Sequence, residues 1–147
     1  MTDNKFYNEI LIDHNMHPGH KHELADATMA MQGYNPSCGD DIWLKLKVND
    51  DGVIESGAFQ GVGCAISQAS ADMMLDLVIG KTREEALRLA DIFLKMIKGT
   101  ATADEIDELE EAGALQDISH MPARVKCAVL GWRTLEQMLG DKAEATK

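Results

Sequence analysis

The sequence predicts an α+β fold in which helices pack on one small, three-stranded antiparallel sheet. Two patterns support this prediction. Apolar and polar residues alternate in the part of the chain that ends near residue 61, as they do in strands with one buried face. From residue 65 onward, apolar residues recur at helical spacing instead. Because no repeat, low-complexity tract or linker interrupts the 147 residues, we expect one domain over residues 1–147.

The sheet is expected to follow a short amphipathic helix over residues 4–15, which ends before Pro18. Three strands are then predicted, over residues 27–33, 42–48 and 53–61. The second strand is the clearest, since apolar residues occupy every other position from Ile42 to Val48. The sequence Asn-Asp-Asp-Gly at residues 49–52 favours a hairpin turn between the second and third strands.

Four helices are predicted after the sheet, over residues 65–79, 82–98, 102–113 and 123–139. Thr82 and Thr102 each stand three residues before a glutamate, which is the pattern of a capping box at a helix start. The helix over residues 102–113 is acidic and is expected to end near Gly113. In the last helix, the predicted apolar stripe consists of Val125, Val129, Trp132 and Met138.

The charge of the chain restricts its expected partners, and its hydrophobic pattern restricts its expected location. A formal net charge of -11 argues against nucleic acid or an anionic membrane as a partner. No segment is long and apolar enough to span a bilayer, and the N-terminal residues lack the pattern of a secretory signal. We therefore expect a cytoplasmic protein whose thiols stay reduced, and the odd number of cysteines also argues against a disulfide framework.

Three cysteines and one aspartate suggest a metal site. Cys38 and Asp40 lie in the segment Asn-Pro-Ser-Cys-Gly-Asp, Cys64 follows Gly-Val-Gly, and Cys127 follows Arg-Val-Lys. Three thiolates and a carboxylate form the four-ligand tetrahedral set that zinc prefers. Glycines beside Cys38 and Cys64 allow the backbone to bend and approach closely.

The helix positions of the cysteines favour anionic sulfur. Cys64 begins one predicted helix and Cys127 lies in the first turn of another, where the helix dipole attracts negative charge. Cys127 is about 200° around the axis from Val125, so we expect it to point away from the apolar stripe. Arg124 and Lys126 flank Cys127 and can offset the charge of the site, and Arg124 can also pair with Asp40.

Other polar groups have two interpretations each. His14, His17, His20 and His22 resemble a metal cluster, but their spacing is irregular and they straddle a helix end, so solvation at the surface is favoured. The acidic run over residues 104–111 is expected to be a solvated helix face, with a docking surface as the alternative.

The three cysteine segments, together with Ile-Asp-His at residues 12–14 and Pro18, resemble the IscU/SufU/NifU N-terminal family of iron–sulfur cluster assembly proteins. The resemblance covers residues 6–139 and implies a SufE/NifU-like fold. Three features are similar to the SufU branch. Lys126 stands where the cluster scaffolds carry a histidine, residues 121–125 do not match their chaperone-recognition segment, and residues 102–113 lengthen the stretch between Cys64 and Cys127.

The resemblance implies a function and a set of site residues. SufU-like proteins bind zinc through three cysteines and an aspartate, which are Cys38, Asp40, Cys64 and Cys127 here. They accept persulfide sulfur from a PLP-dependent cysteine desulfurase and serve a downstream iron–sulfur cluster scaffold. Cys38 is the candidate sulfur acceptor because it lies in the predicted loop, and Arg124 has a supporting role.

Two other functions stay open. The same ligands can hold a 2Fe–2S cluster, which makes a scaffold that assembles and transfers a cluster the main alternative. A purely structural zinc domain is disfavoured because the chain has no Cys-x-x-Cys pair.

Overall fold

The protein is described here by a computed structural model that covers residues 2–37 and 39–145, with side chains for residues 9–37 and 39–140. The predicted α+β class is confirmed. The elements are α1 (Thr2–Met16), β1 (Met29–Asn35), β2 (Asp40–Val48), β3 (Ile54–Val62), α2 (Ala65–Val78), α3 (Arg83–Lys98), α4 (Ala103–Glu108), a 3₁₀ helix (Glu110–His120) and α5 (Pro122–Ala145).

The three strands form one antiparallel sheet in the order β1-β2-β3. The predicted alternation in β2 is confirmed, since Ile42, Leu44 and Leu46 are buried while Trp43 between them is exposed. The turn between β2 and β3 forms as expected, because the Asn49 side-chain oxygen accepts the backbone N–H groups of Asp51 and Val53 at 2.9 Å each. One face of the sheet therefore carries the core, and the other is open.

Helix α2 is the central element of the helical layer. It packs against β3, α1, α3, α5 and the 3₁₀ helix, and it is buried on almost every side. Its small residues allow this, since Ala69, Ser70 and Ala71 let neighbouring helices approach closely. The sequence places Cys64 immediately before this helix, so the buried layer positions that cysteine.

Trp132 joins α5 to α2 and α3. Its ring stacks on Phe93 of α3 with centroids 4.2 Å apart. Its indole N–H donates to the Ser70 hydroxyl of α2 at 2.9 Å, and that hydroxyl donates to the Ala128 carbonyl at 2.6 Å. Because both polar groups are satisfied inside the core, the large ring is buried without a desolvation penalty.

The two predicted capping boxes differ. Thr102 and Glu105 form a complete box, in which each side chain accepts the backbone N–H of the other residue. Thr82 also accepts the N–H of Glu85, but the Glu85 carboxylate binds Arg88 of the next turn. Both helices begin where the sequence predicts, although only the second has the reciprocal pair in the described residues.

The predicted end of the acidic helix over residues 102–113 is wrong. Helix α4 ends at Glu108, Glu110 has a left-handed φ of 54°, and a 3₁₀ helix continues to His120. The reason is the spacing of apolar residues. Positions three apart share one face of a 3₁₀ helix, and these positions are buried here: Leu109, Ala112, Leu115 and Ile118.

The last helix differs from its prediction at both ends. It begins at Pro122 and continues to Ala145, beyond the predicted end at Leu139. Pro122 suits the first helical position because its fixed φ is helical and it has no N–H to leave unpaired. Among the described residues, no helix combines the length and apolarity needed to cross a membrane.

A glycine near the end of β3 permits the approach of β2. Gly61 has a φ of 120°, and a Cβ placed there would overlap the Asp41 carbonyl oxygen and lie 3.2 Å from the Ile42 Cα. We expect Gly61→Ala to lower the free energy of unfolding by about 2–4 kcal/mol, because backbone strain and a backbone clash coincide. Urea denaturation measures this loss.

The matched control is Gly80→Ala. Gly80 also has a positive φ, of 93°, but no heavy atom lies within 4 Å of its added Cβ. This control isolates backbone strain and should cost about 1 kcal/mol. Equal losses in the two variants would show that the approach of β2 at Gly61 contributes nothing.

Candidate metal centre

Three of the four predicted ligands meet at one end of the sheet. The side-chain donor atoms of Asp40, Cys64 and Cys127 all lie within 4.8 Å of one another. Asp40 is the first residue of β2, Cys64 precedes α2, and Cys127 lies in α5. The fourth predicted ligand, Cys38, lies outside the described residues, between Ser37 and Gly39.

Asp40 is at the centre of this group. Its side chain is completely buried. One carboxylate oxygen, Oδ1, accepts the backbone N–H of Cys64 at 2.9 Å and the Ser67 hydroxyl at 3.2 Å. The sequence predicts Asp40 in the loop, whereas the structure places it at the start of β2, paired with Asn35 of β1. The strand therefore holds the carboxylate in a defined direction.

Cys64 is the N-cap residue of α2. Its backbone is extended, with φ -74° and ψ 170°, and its Sγ accepts the Ser67 N–H at 3.5 Å. The prediction that Cys64 sits at a helix start is confirmed. The Ser67 N–H thus points towards the sulfur and the Cys64 N–H towards the Asp40 carboxylate, which favours negative charge at this helix start.

One prediction about Cys127 is wrong. It lies beyond the first turn of α5, because α5 begins at Pro122 and one turn takes about 3.6 residues. Its side chain is completely buried, although it lies on the side of α5 opposite Val125. The reason is that α5 is covered on two sides, by α2 and by β1. The side opposite the apolar stripe faces the metal ligands and the sheet.

Asn35 and Ser67 support the carboxylate. The Asn35 amide lies 3.4 Å from Asp40 Oδ2 and 4.0 Å from Cys127 Sγ, and it donates to both. Asn35 and Ser67 are both buried. Sequence reasoning missed their roles, although both lie inside the cysteine segments. Their polarity beside the expected ligands is the only sequence feature that points to them.

A second pair of side chains holds the turn before Cys64. The Gln68 amide donates to the Gly63 carbonyl at 2.7 Å, and Lys21 donates to the Gln68 side-chain oxygen at 2.5 Å. Gly63 itself leaves room for the site, since a Cβ there would overlap the Ser67 hydroxyl and lie 3.0 Å from Asp40 Oδ1. The turn before Cys64 is therefore held by Gln68 and Lys21, and it has room beside Asp40 because Gly63 has no side chain.

The predicted supporting cations lie at the surface. Arg124 and Lys126 are both exposed on α5, on either side of the buried Cys127. The predicted pairing of Arg124 with Asp40 stays a prediction. The acidic run 104–111 is largely exposed, as expected of a solvated face, apart from the buried Leu109.

The expectation of solvation at the surface is wrong for His14. This residue is only 5% exposed and lies 2.7 Å from Asp72 and 2.5 Å from Glu111. His20 is half-buried and contacts Asp76 at 2.6 Å. The remaining pair, His17 and His22, is exposed as expected. His14 follows Ile10 by four residues and Leu11 by three, so it lies on the side of α1 that packs on the core.

The donor chemistry fits zinc. Two cysteine sulfurs and one carboxylate oxygen are ligands that this ion accepts, and they supply three of the four positions of a tetrahedron. The Asp40 carboxylate is already oriented by two donors on Oδ1, as the ligands of metal sites are oriented by their neighbours. The loop that carries Cys38 is directly adjacent, since it joins β1 to the start of β2.

Comparison with known proteins defines the class. Residues 6–128 match the family described as the NifU-like N-terminal domain. The chain belongs to this family, as its resemblance predicts. The N-terminal part of a nitrogen-fixing NifU-like protein from Brucella abortus has the same fold, with a TM-score of 0.81 at 24% identity over 94% of each chain.

Particular relatives carry two different names. The iron–sulfur cluster assembly scaffold protein IscU of Streptococcus pyogenes serotype M1 is 44% identical over 97% of this chain and 87% of that protein. The zinc-dependent sulfurtransferase SufU of Bacillus subtilis (strain 168) is 42% identical over 89% of this chain and 87% of that protein. The crystal structure of FiSufU from Fervidobacterium islandicum AW-1 has a TM-score of 0.83 at 34% identity, covering 89% of this chain and 94% of FiSufU.

Ser67 provides a test of this geometry. We expect Ser67→Ala to weaken zinc binding by about 10–100-fold, because Asp40 loses a donor that orients it. Competition with a chromophoric chelator measures the zinc affinity.

Ser70→Ala is the matched control. Ser70 lies on the same helix and is also completely buried, but its hydroxyl serves Trp132 and Ala128. Both variants should lose about 1–2 kcal/mol of stability, and only Ser67→Ala should lose zinc affinity. Equal affinity in the two variants would contradict a role for Ser67 at the metal centre.

Proposed function

We propose that the protein is a zinc-dependent sulfurtransferase, which accepts sulfur from the persulfide of a PLP-dependent cysteine desulfurase during iron–sulfur cluster biogenesis. One observation carries this proposal. Two cysteines and a fully buried, hydrogen-bonded carboxylate converge within 4.8 Å, next to a loop that holds a third cysteine. The name of the Bacillus subtilis relative, a zinc-dependent sulfurtransferase, supports the same function.

The proposed zinc ligands are Cys38, Asp40, Cys64 and Cys127. When bound, zinc keeps cysteine sulfurs deprotonated at neutral pH and moderates their reactivity. Side chains and backbone groups of the protein hold these ligands in position. Helix α2 directs its first N–H groups at Cys64 Sγ and Asp40, and the Asn35 amide faces Asp40 and Cys127. These donors hold three ligands in place independently of the loop.

Cys38 is the proposed sulfur acceptor, because the other two cysteines are restrained. Cys127 is completely buried within α5, and Cys64 is held as a helix cap. Cys38, in contrast, has exposed neighbours on both sides, Ser37 and Gly39. Gly39 has a positive φ of 75°, which glycine adopts without strain, and no heavy atom lies within 4 Å of an added Cβ.

The transfer itself is a displacement at sulfur. The thiolate of Cys38 attacks the outer sulfur of the desulfurase persulfide, and a new S–S bond forms on Cys38. The bond between the outer and inner sulfurs of the donor breaks, and the desulfurase cysteine leaves as a thiolate with the electron pair. No external oxidant or reductant is needed, because the outer sulfur only changes partners.

A cluster scaffold is the second candidate function. The relative from Streptococcus pyogenes is named a scaffold at 44% identity, and thiolates also hold iron. Lys126, beside Cys127, favours the sulfurtransferase, because lysine is a poor ligand compared with the histidine that the scaffolds carry there. Metal analysis and visible absorption of freshly purified protein distinguish the two functions, since zinc protein is colourless and a 2Fe–2S cluster is not.

The proposed function defines partners and a location. The desulfurase is the sulfur donor, and a downstream iron–sulfur cluster scaffold is the receiver. Both transfers need reduced thiols, so we place the protein in the cytoplasm. The net charge of -11 favours a donor surface with basic residues around its persulfide.

The acceptor is tested by Cys38→Ala. We expect this variant to lose all stimulation of the desulfurase and to carry no persulfide, because the attacking sulfur is missing. After one turnover with cysteine, alkylation and peptide mass spectrometry locate the persulfide. Ser37→Ala is the control in the same loop and should retain both properties. A persulfide on the Cys64 or Cys127 peptide of the unaltered protein would reject Cys38 as the acceptor.

Arg124 provides a separate test of the site's charge balance. We expect Arg124→Ala to weaken zinc binding or to slow sulfur acceptance by roughly 10-fold, because its guanidinium can pair with the anionic ligands as a planar fork. Lys126→Ala removes the same charge from the other side of Cys127 and should change both quantities less. Identical effects of the two substitutions would show that Arg124 contributes only its positive charge and not the planar geometry of its guanidinium.

A further inference from the structure

A second cluster of titratable side chains joins α1, α2 and the 3₁₀ helix. His14, near the end of α1, is 5% exposed. Its Nδ1 lies 2.7 Å from Asp72 Oδ2 of α2, and its Nε2 lies 2.5 Å from Glu111 Oε1 of the 3₁₀ helix. One imidazole therefore connects α1 to two separate parts of the helical layer.

The contacts of His14 require a particular protonation state. Both ring nitrogens face carboxylate oxygens, which accept hydrogen bonds and do not donate them when ionised. A neutral imidazole has one N–H and would leave one contact without a proton. The imidazolium has two N–H groups and satisfies both contacts with charge-assisted hydrogen bonds.

The surroundings of His14 are mostly acidic. From α2, Asp76 Oδ2 lies 4.0 Å from His14 Nδ1. From the connection after α1, His20 contacts Asp76 at 2.6 Å, and its backbone N–H donates to Asp72 at 2.9 Å. From the 3₁₀ helix, Glu110 lies beside Glu111 and is exposed. The carboxylates thus outnumber the imidazoles around this histidine.

The balance of effects favours the charged ring. Burial is the largest single influence and by itself would lower the pKa of His14. The hydrogen bonds to Glu111 and Asp72, followed by the charges of both carboxylates, act in the opposite direction and prevail together. The pKa of His14 therefore lies above its ordinary value of 6.5.

We propose that His14 is a proton-operated clamp, which holds α1 against α2 and the 3₁₀ helix while the imidazole is protonated and releases α1 as the ring loses its proton. Among the described side chains of α1, those of Ile10 and Leu11 also rest on the core. Deprotonation removes one of the two bonds of His14 and leaves the buried Asp72 without its counter-charge. Docking of α1 thus depends on pH, whatever the protein does at its cysteines.

A bound metal ion is the competing explanation of the same cluster. His14, Asp76 and Glu111 have donor atoms within 4.8 Å of one another, a distance that a divalent cation can bridge. The proton is the simpler occupant, because the His14–Glu111 and His14–Asp72 distances are those of hydrogen bonds between a charged donor and its acceptor. Added zinc distinguishes the two explanations: it leaves a protonated His14 unchanged, and it displaces the proton if the cluster is a metal site.

The first experiment is an NMR titration of the five histidine rings in the full chain, with His14 assigned by substitution. We expect His14 to titrate above pH 6.5, and Glu111→Gln to lower its pKa, because one hydrogen-bonded carboxylate charge is lost. Glu110→Gln removes the same charge from the preceding residue and should shift the pKa of His14 much less. A His14 pKa at or below 6.5, or equal shifts in the two variants, would overturn the clamp.

The second experiment follows thermal unfolding from about pH 6 to about pH 9. The folded-state pKa of His14 is raised, so its contribution is complete below the unfolded value and is lost as pH rises through the folded value. We expect His14→Asn to melt roughly 5–10 °C below the unaltered protein near pH 6, with a gap that closes towards pH 9. His22→Asn, at an exposed position, should show no such trend. A gap that is constant with pH would overturn the proposal.

A third measurement excludes the metal. In a variant with Cys38→Ser, Cys64→Ser and Cys127→Ser, all three thiolates are removed and the His14 cluster is kept. We expect micromolar zinc to leave the His14 ring signals and their titration unchanged. Zinc binding that displaces the His14 proton, and that Glu111→Gln weakens, would make the cluster a metal site and overturn the clamp.

Discussion

The buried carboxylate of Asp40 is the constraint on which the candidate centre depends. It is the first residue of β2, it accepts the N–H that opens α2, and it faces the sulfur of Cys127 through the Asn35 amide. A completely buried carboxylate is costly unless charge and hydrogen bonds satisfy it. The sheet and the start of α2 each donate hydrogen bonds to this side chain, and Asn35 links it to Cys127 of α5.

Helix α2 connects the two polar clusters of the protein. Its first turn supplies Cys64 and Ser67 to the metal centre, and its later turns supply Asp72 and Asp76 to His14. Between them, Ser70 satisfies the indole of Trp132. The helix is buried on nearly every side, so these polar groups must find partners inside the protein. Their partners determine where α1 and α5 pack.

Family membership explains the shared fold, but it does not distinguish a cluster scaffold from a sulfurtransferase. Relatives of similar identity are named as cluster scaffolds and as a zinc-dependent sulfurtransferase. The described ligands can serve either chemistry, since thiolates and carboxylates bind both zinc and iron. The proposed choice between the two functions rests on Lys126 beside Cys127 and on Cys38 in the segment between β1 and β2.

The sequence by itself determined the three strands, the capped starts of α2, α3 and α4, and Asp40, Cys64 and Cys127 as candidate ligands, because alternation, capping and ligand chemistry are local properties. It also contained the three-residue spacing of Leu109, Ala112, Leu115 and Ile118, which the prediction of an ordinary acidic helix overlooked. Only the tertiary structure decided that Cys127 and His14 are buried and that Asn35 and Ser67 hold Asp40. Burial and hydrogen-bond partners depend on which distant elements cover a residue, and no local pattern contains that information.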